Sequence, residues 1–130
     1  MNYQITYDDA ENFLVVKTVG KMNAVDFISM AKDLLKHPRC LPGCNVVFDH
    51  IALEFKHVPV GDLQKIREFH IHNEARIGSG KSAIIVKVGL SQDWNKLWSQ
   101  GEKIKTGNRT RIFENLNAAI RWLKEDNCIR

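Results

Sequence analysis

This chain of 130 residues is short of the features that identify a chemistry at sight. No apolar run approaches the ~20 residues that a membrane helix requires. The first residues, Met1-Asn2-Tyr3-Gln4, have neither a basic stretch nor an apolar one, so no secretory leader is expected and the expected compartment is the cytoplasm. There are three cysteines, an odd number, which argues against a closed secreted disulfide framework and leaves Cys40, Cys44 and Cys128 as free thiols. Internal repeats, linkers and low-complexity segments are missing, so residues 1–130 read as a single domain. Strong charge of one sign is missing too. The net charge is +4, with seven Lys/Arg against eight Asp/Glu in residues 1–65 and twelve against seven in residues 66–130. The basic residues are spread over several elements, Lys81, Lys96 and Arg111 among them, so nucleic acid is not an expected partner.

What is present is an alternation of short β-branched runs with amphipathic helical segments. Tyr3–Tyr7 alternates apolar and polar residues, and Phe13–Val19 follows across a polar turn, ended by Gly20; the two form an antiparallel hairpin. Asn23 caps a helix with the stripe Ala24, Phe27, Ile28, Ala31, Leu34 and Leu35, closed by Pro38. Asn45–Asp49 is a strand of the kind buried on both faces, after which His50–Pro59 has no legible pattern. A second helix runs from Gly61, with Leu63, Ile66, Phe69 or His70, and Ile77 on one face, and stops at Gly78-Ser79-Gly80. Ser82–Val88 is a buried strand. Ser91 opens a third helix striped with Trp94, Leu97, Trp98 and Ile104. Thr110–Phe113 is a last strand, and Asn115 caps a last helix with the stripe Leu116, Ala119, Ile120 and Leu123. The predicted fold is α/β: a single mixed, mostly parallel sheet of about five strands with four helices and right-handed crossovers.

No catalytic, cofactor-binding or metal-ligating set can be assembled. Gly78-Ser79-Gly80-Lys81-Ser82 looks like the end of a phosphate loop, but Ala75 stands where the pattern needs glycine, and the segment leaves a helix to enter a strand rather than the reverse. Cys40 and Cys44 lie near His37 and His50, yet the spacing lacks the paired arrangement of a closed zinc site. His70 and His72 are two apart on a helix and point in different directions, and His70 with Glu74 reads as a surface ion pair. No catalytic triad and no paired catalytic carboxylates are identifiable. Four residues remain as candidates for a ligand or partner surface. Asp49 and His50 stand at the carboxyl end of the central strand, where open α/β sheets bind ligands. Trp94 and Trp98 form an aromatic stripe that either packs on the sheet or lines an apolar pocket.

The element order, the Val46-Val47-Phe48-Asp49 strand, and the Ala83-Ile84-Ile85-Val86 strand followed by the Trp94 helix resemble the SpoIIAA-like branch of the STAS superfamily, the sulfate transporter and anti-sigma factor antagonist domains. The resemblance implies a helix-covered sheet and a non-enzymatic role through protein–protein interaction. Antagonists of this superfamily are switched by phosphorylation of a serine or threonine at the start of the second helix. The corresponding stretch here, Glu54-Phe55-Lys56-His57-Val58-Pro59-Val60-Gly61-Asp62-Leu63, contains no hydroxyl to phosphorylate. The expectation is therefore a module that binds a protein partner or itself without that switch. Distant relatives of this architecture handle lipids, which makes a carrier or sensor of a small apolar ligand the alternative.

Overall fold

The alternation of apolar and polar residues at the start of the chain becomes a strand because one of its faces is covered. Tyr3, Ile5 and Tyr7 pack toward the core while Asn2, Gln4 and Thr6 face outward. The computed structural model describes residues 1–40, 44–77, 80–99 and 109–125. In it β1 (Asn2–Asp8) pairs antiparallel with β2 (Phe13–Lys21), from Asn2 opposite Val19 to Asp8 opposite Phe13. The turn between them is held by Asp8, whose carboxylate accepts the Glu11 N–H at 3.0 Å and whose carbonyl accepts the Asn12 N–H at 2.8 Å. Asn12 takes a left-handed backbone, φ 62°, which asparagine tolerates better than most residues.

Gly20 does not end the second strand, as its residue type implied. β2 continues to Lys21, with Gly20 at φ 100° paired to Leu53 after a register shift between Lys17 and Val19. A glycine tolerates that φ inside a strand, and the irregularity bends the ladder rather than breaking it. Beyond β2 the strands β3 (Val46–Glu54), β4 (Lys81–Ile85) and β5 (Arg109–Phe113) add in parallel, so the spatial order β1-β2-β3-β4-β5 is the chain order. The helices are α1 (Ala24–Lys36), α2 (Val60–His72), the single turn α3 (Glu74–Ile77), α4 (Ser91–Ser99) and α5 (Leu116–Lys124). The result is a mixed five-stranded sheet with four helices and one extra helical turn.

Strand order that follows chain order has a consequence. Successive right-handed crossovers that all advance in one direction place their helices on one face of the sheet. One core cluster accordingly joins Phe27, Met30 and Leu34 of α1, Leu63 and Ile66 of α2, and Trp94 and Leu97 of α4 to Leu14, Val16 and Val46 of the sheet. α5 follows the last strand and covers the opposite face, where Ala119 and Leu123 pack on Phe13, Val47, Ala83 and Ile85.

Local signals explain the helix ends. The Asn23 carboxamide accepts the Asp26 N–H at 2.9 Å, and Asn115 accepts the Ala118 N–H at 3.1 Å. α1 stops at Lys36, two residues before Pro38. The second helix is shorter than its pattern implied: Asn73 interrupts it, its side-chain amide donating to the Phe69 carbonyl at 2.8 Å, and only the turn α3 follows. Leu116, expected in the buried stripe of the last helix, is 51% exposed as the first residue of α5. The glycine stop at residues 78–79 and the Ile104 position of the third stripe lie outside the described residues.

Candidate functional site

His50 is the starting point. Sequence pattern ended the strand at Asp49 and left His50 at the head of a segment with no legible pattern. In the structure β3 runs on to Glu54 and His50 is an interior strand residue, 1% exposed. The correction follows from pairing. Lys17, Val19, Gly20 and Lys21 of β2 extend the ladder opposite Asp49, Ala52, Leu53 and Glu54, so a polar-looking segment is held extended by its neighbour. Side chains alternate along a strand, so Asp49 and His50 point to opposite faces. Asp49 is half-buried and its carboxylate accepts the Ile51 N–H at 3.2 Å. His50 turns inward, under α1 and α4.

There the imidazole Nδ1 is 2.7 Å from the hydroxyl of Thr18, itself fully buried on β2, and that hydroxyl also donates to the Asp49 carbonyl at 3.4 Å. Three rings surround the imidazole, Trp94 at 5.2 Å between centroids, Phe48 at 5.7 Å and Phe27 at 5.9 Å. Burial pushes the His50 pKa down to about 3, so the ring is neutral at physiological pH. Trp94 is in turn fixed edge-on by Phe55 at 5.0 Å.

These rings are one end of an open cavity of about 1030 Å³ between the sheet and helices α1, α2 and α4. Ligand pockets commonly measure roughly 300–1,000 Å³, so the space is large for a chain of this length. Phe48, Ile84 and Ile112 of three adjacent strands form its floor and are only half-buried. Phe27, Met30 and Leu34 of α1 form one wall, and Ile66, Arg67, Phe69 and His70 of α2 another. Arg67 is 8% exposed, an unusual burial for a guanidinium. Among the described residues no aspartate or glutamate reaches the lining, and Arg111 of β5, with its guanidinium 5.7 Å from the centre of the Phe113 ring, turns by strand alternation to the α5 face. The lining is thus, among the described residues, mostly apolar, with the positive charge of Arg67. A smaller cleft of about 470 Å³ lies beside it, between α1 and the α2–α3 corner, and shares Leu35 and Phe69 with it.

Of the four candidates read from sequence, the structure brings His50 and Trp94 together in this lining. Asp49 stands on the other face of the sheet, and the Trp98 side chain lies outside the described residues. The cavity sits beneath the helices, not at the carboxyl ends of the strands. Sequence reading missed Arg67, which falls in the apolar stripe of α2 beside Leu63 and Ile66; an arginine at a stripe position is the signal that could have marked it.

Other motifs find plain structural roles. Lys81, the lysine of the phosphate-loop look-alike, is 4% exposed and donates to the carbonyls of Trp122 at 2.7 Å and Glu125 at 3.0 Å, with its ammonium 5.0 Å from the centre of the Trp122 ring. It caps the C-terminus of α5, where a cation is favourable, and is not presented to a polyanion. Among the described residues no three His, Cys, Asp or Glu side chains are grouped to hold a metal ion, and no helix is long and apolar enough to cross a membrane.

No family model matches the sequence, and no curated protein matches it. Among solved structures, an uncharacterized protein of the DUF3478 family from Shewanella loihica PV-4, described as having a SpoIIAA-like fold, is similar with a TM-score of 0.62 and 20% sequence identity, over 94% of this chain and 92% of that one. The likeness runs nearly end to end and lies in the strand and helix arrangement, so the resemblance read from the element order holds in three dimensions: this chain has the SpoIIAA-like fold.

Proposed function

We propose that this protein binds a small, mostly apolar, anionic molecule of the fatty-acid class in the cavity, as a carrier or sensor that leaves it chemically unchanged. The observation that carries the reading is the lining itself: a floor of Phe48, Ile84 and Ile112, walls of aliphatic and aromatic side chains, and the nearly buried guanidinium of Arg67 among them. An acyl chain gains roughly 0.8 kcal/mol for each methylene it buries. A guanidinium adds a geometry suited to a carboxylate and so fixes the orientation of the chain. His50 is neutral, buried and held by Thr18, an arrangement that shapes the pocket without supplying an acid or base near neutral pH.

The test is titration with fatty acids and with the matching fatty alcohols, read by the fluorescence of the tryptophans and by native mass spectrometry. Saturable one-to-one binding is expected, with acids about tenfold tighter than alcohols and that preference lost in Arg67→Met. Ile84→Trp puts an indole on the cavity floor and should abolish binding while far-ultraviolet circular dichroism stays native. Absence of saturable binding by any chain length, or binding untouched by Ile84→Trp, overturns the reading.

A protein partner or a second copy of the chain is the other reading. It is favoured by Val25 and Val88, each 77% exposed, with Val60 and Leu116, all at helix starts or just beyond a strand and thus toward the carboxyl edge of the parallel strands. Sedimentation at rising concentration tests the self-association arm. A dimer that persists in Val25→Ser/Val88→Ser would remove those residues from it.

A further inference from the structure

The two cysteines beyond the end of α1 pack against the main core, and the reading of the cavity gives their sulfurs no role. We propose that Cys40 and Cys44 form a dithiol that hydroperoxides oxidise to a reversible disulfide, with Cys44 the attacking sulfur and Cys40 the resolving one. The sulfurs are 3.3 Å apart, so a bond of about 2.05 Å between them asks for an approach of a little over ~1 Å. Both residues are half-buried and both line the cavity wall, within reach of a small oxidant.

The surroundings divide the roles. The Arg76 guanidinium, anchored by donation to the Leu35 carbonyl at 2.8 Å, brings positive charge to Cys40 and so to the pair. The hydrogen bond between the two sulfurs, and burial, raise the Cys40 pKa. The same bond pulls the Cys44 pKa down to about 7. A thiolate is the nucleophile in such oxidations, so the sulfur whose pKa is lowered, Cys44, is assigned the attack.

The steps balance. The Cys44 thiolate attacks the terminal oxygen of the hydroperoxide; the S–O bond forms, the O–O bond breaks, and the departing oxygen takes a proton and leaves as water or an alcohol. Cys44 is then a sulfenic acid, oxidised by two electrons. Cys40 gives up its proton and attacks the Cys44 sulfur; the S–S bond forms, the S–O bond breaks, and hydroxide leaves with that proton as water. The ring closed by the bond spans only residues 40–44, so the bond removes little chain entropy, and a dithiol reductant reverses it.

The proposal does not depend on what the cavity binds, and its test can fail separately. No lysine or arginine lies between Cys40 and Lys56, so trypsin leaves both sulfurs in the one peptide 40–56, while Cys128 falls in another. After one equivalent of hydrogen peroxide on the full chain, peptide 40–56 should be lighter by two hydrogens, and dithiothreitol should restore its mass. In Cys40→Ser the sulfenic acid should persist on Cys44 and be labelled by dimedone; Cys44→Ser should react at least about tenfold more slowly. Sulfinic acid without cross-link, dimers linked between chains, unreacted thiols, or equal rates in the two serine variants overturn the proposal.

Discussion

At the scale of single residues, His50 links stability to pH. Its ring is buried among Phe27, Phe48 and Trp94, and its pKa lies at about 3 in the folded chain against about 6.5 in an unfolded one. Between those values the unfolded chain takes up a proton that the folded chain does not. Stability from this group is therefore complete above pH 6.5 and falls as the pH drops, by about 1.4 kcal/mol per unit. Glutamine at this position keeps a polar group beside Thr18 but does not titrate. Urea unfolding at pH 6.5 and pH 4.5 should show the natural chain losing about 2 kcal/mol more than His50→Gln over that interval. Equal losses in the two proteins would mean that His50 is hydrated in solution. His50 also shows where reading a sequence stops. A histidine after Val-Val-Phe-Asp looks like the start of a loop, and only the opposing residues of β2 reveal it as the middle of a strand.

At the scale of elements, periodicity served where a segment buries one face against a partner that the chain itself implies. The N-caps Asn23 and Asn115, the β1 alternation and the strand at Ala83–Ile85 were legible for this reason. The gap between α2 and the sheet was not. It depends on how far a helix stands from strands distant in sequence, and α2 carries a weakly segregated stripe in which Arg67 sits beside Leu63 and Ile66. One contact fixes α2 against α1. The Asp62 carboxylate, in the first turn of α2, accepts the Ala24 N–H of α1 at 2.9 Å, so one side chain satisfies an orphan donor of a neighbouring helix. Asp62→Ala should cost about 1–2 kcal/mol and Asp62→Asn, which keeps an acceptor oxygen, about half of that. Because α1 and α2 both wall the cavity, Asp62→Ala should also weaken binding of an acyl ligand. Thermal unfolding and the fatty-acid titration read the two effects. Unchanged unfolding in Asp62→Ala would show that water replaces the carboxylate without loss.

At the scale of the whole molecule, the sheet separates two jobs. On the α5 face, Val47, Ala83, Ile85 and Ala119 are fully buried with Leu123 and Phe13 nearly so, a closed cluster with no share in the cavity. On the other face, Phe48, Ile84 and Ile112 stay half-buried beneath helices that do not close over them. Removing atoms from the first face should cost stability and leave binding alone, and adding atoms to the second should do the reverse. Leu123→Ala leaves a void in a packed cluster and should destabilise the chain by about 2–5 kcal/mol, as buried leucine truncations do. At a temperature where both proteins are folded, its affinity for a fatty acid should match that of the natural chain. Ile84→Trp should lose affinity while its melting temperature shifts by less than that of Leu123→Ala, because the indole enters space already open. Ligand should then raise the melting temperature of the natural chain and of Leu123→Ala alike, by up to ~2.7 kcal/mol of added stability at a hundredfold excess over Kd, and leave Ile84→Trp where it was. If truncating Leu123 weakened binding as much as filling the cavity did, the two faces would be one cooperative core, and the cavity would be a packing gap between helices that no ligand uses.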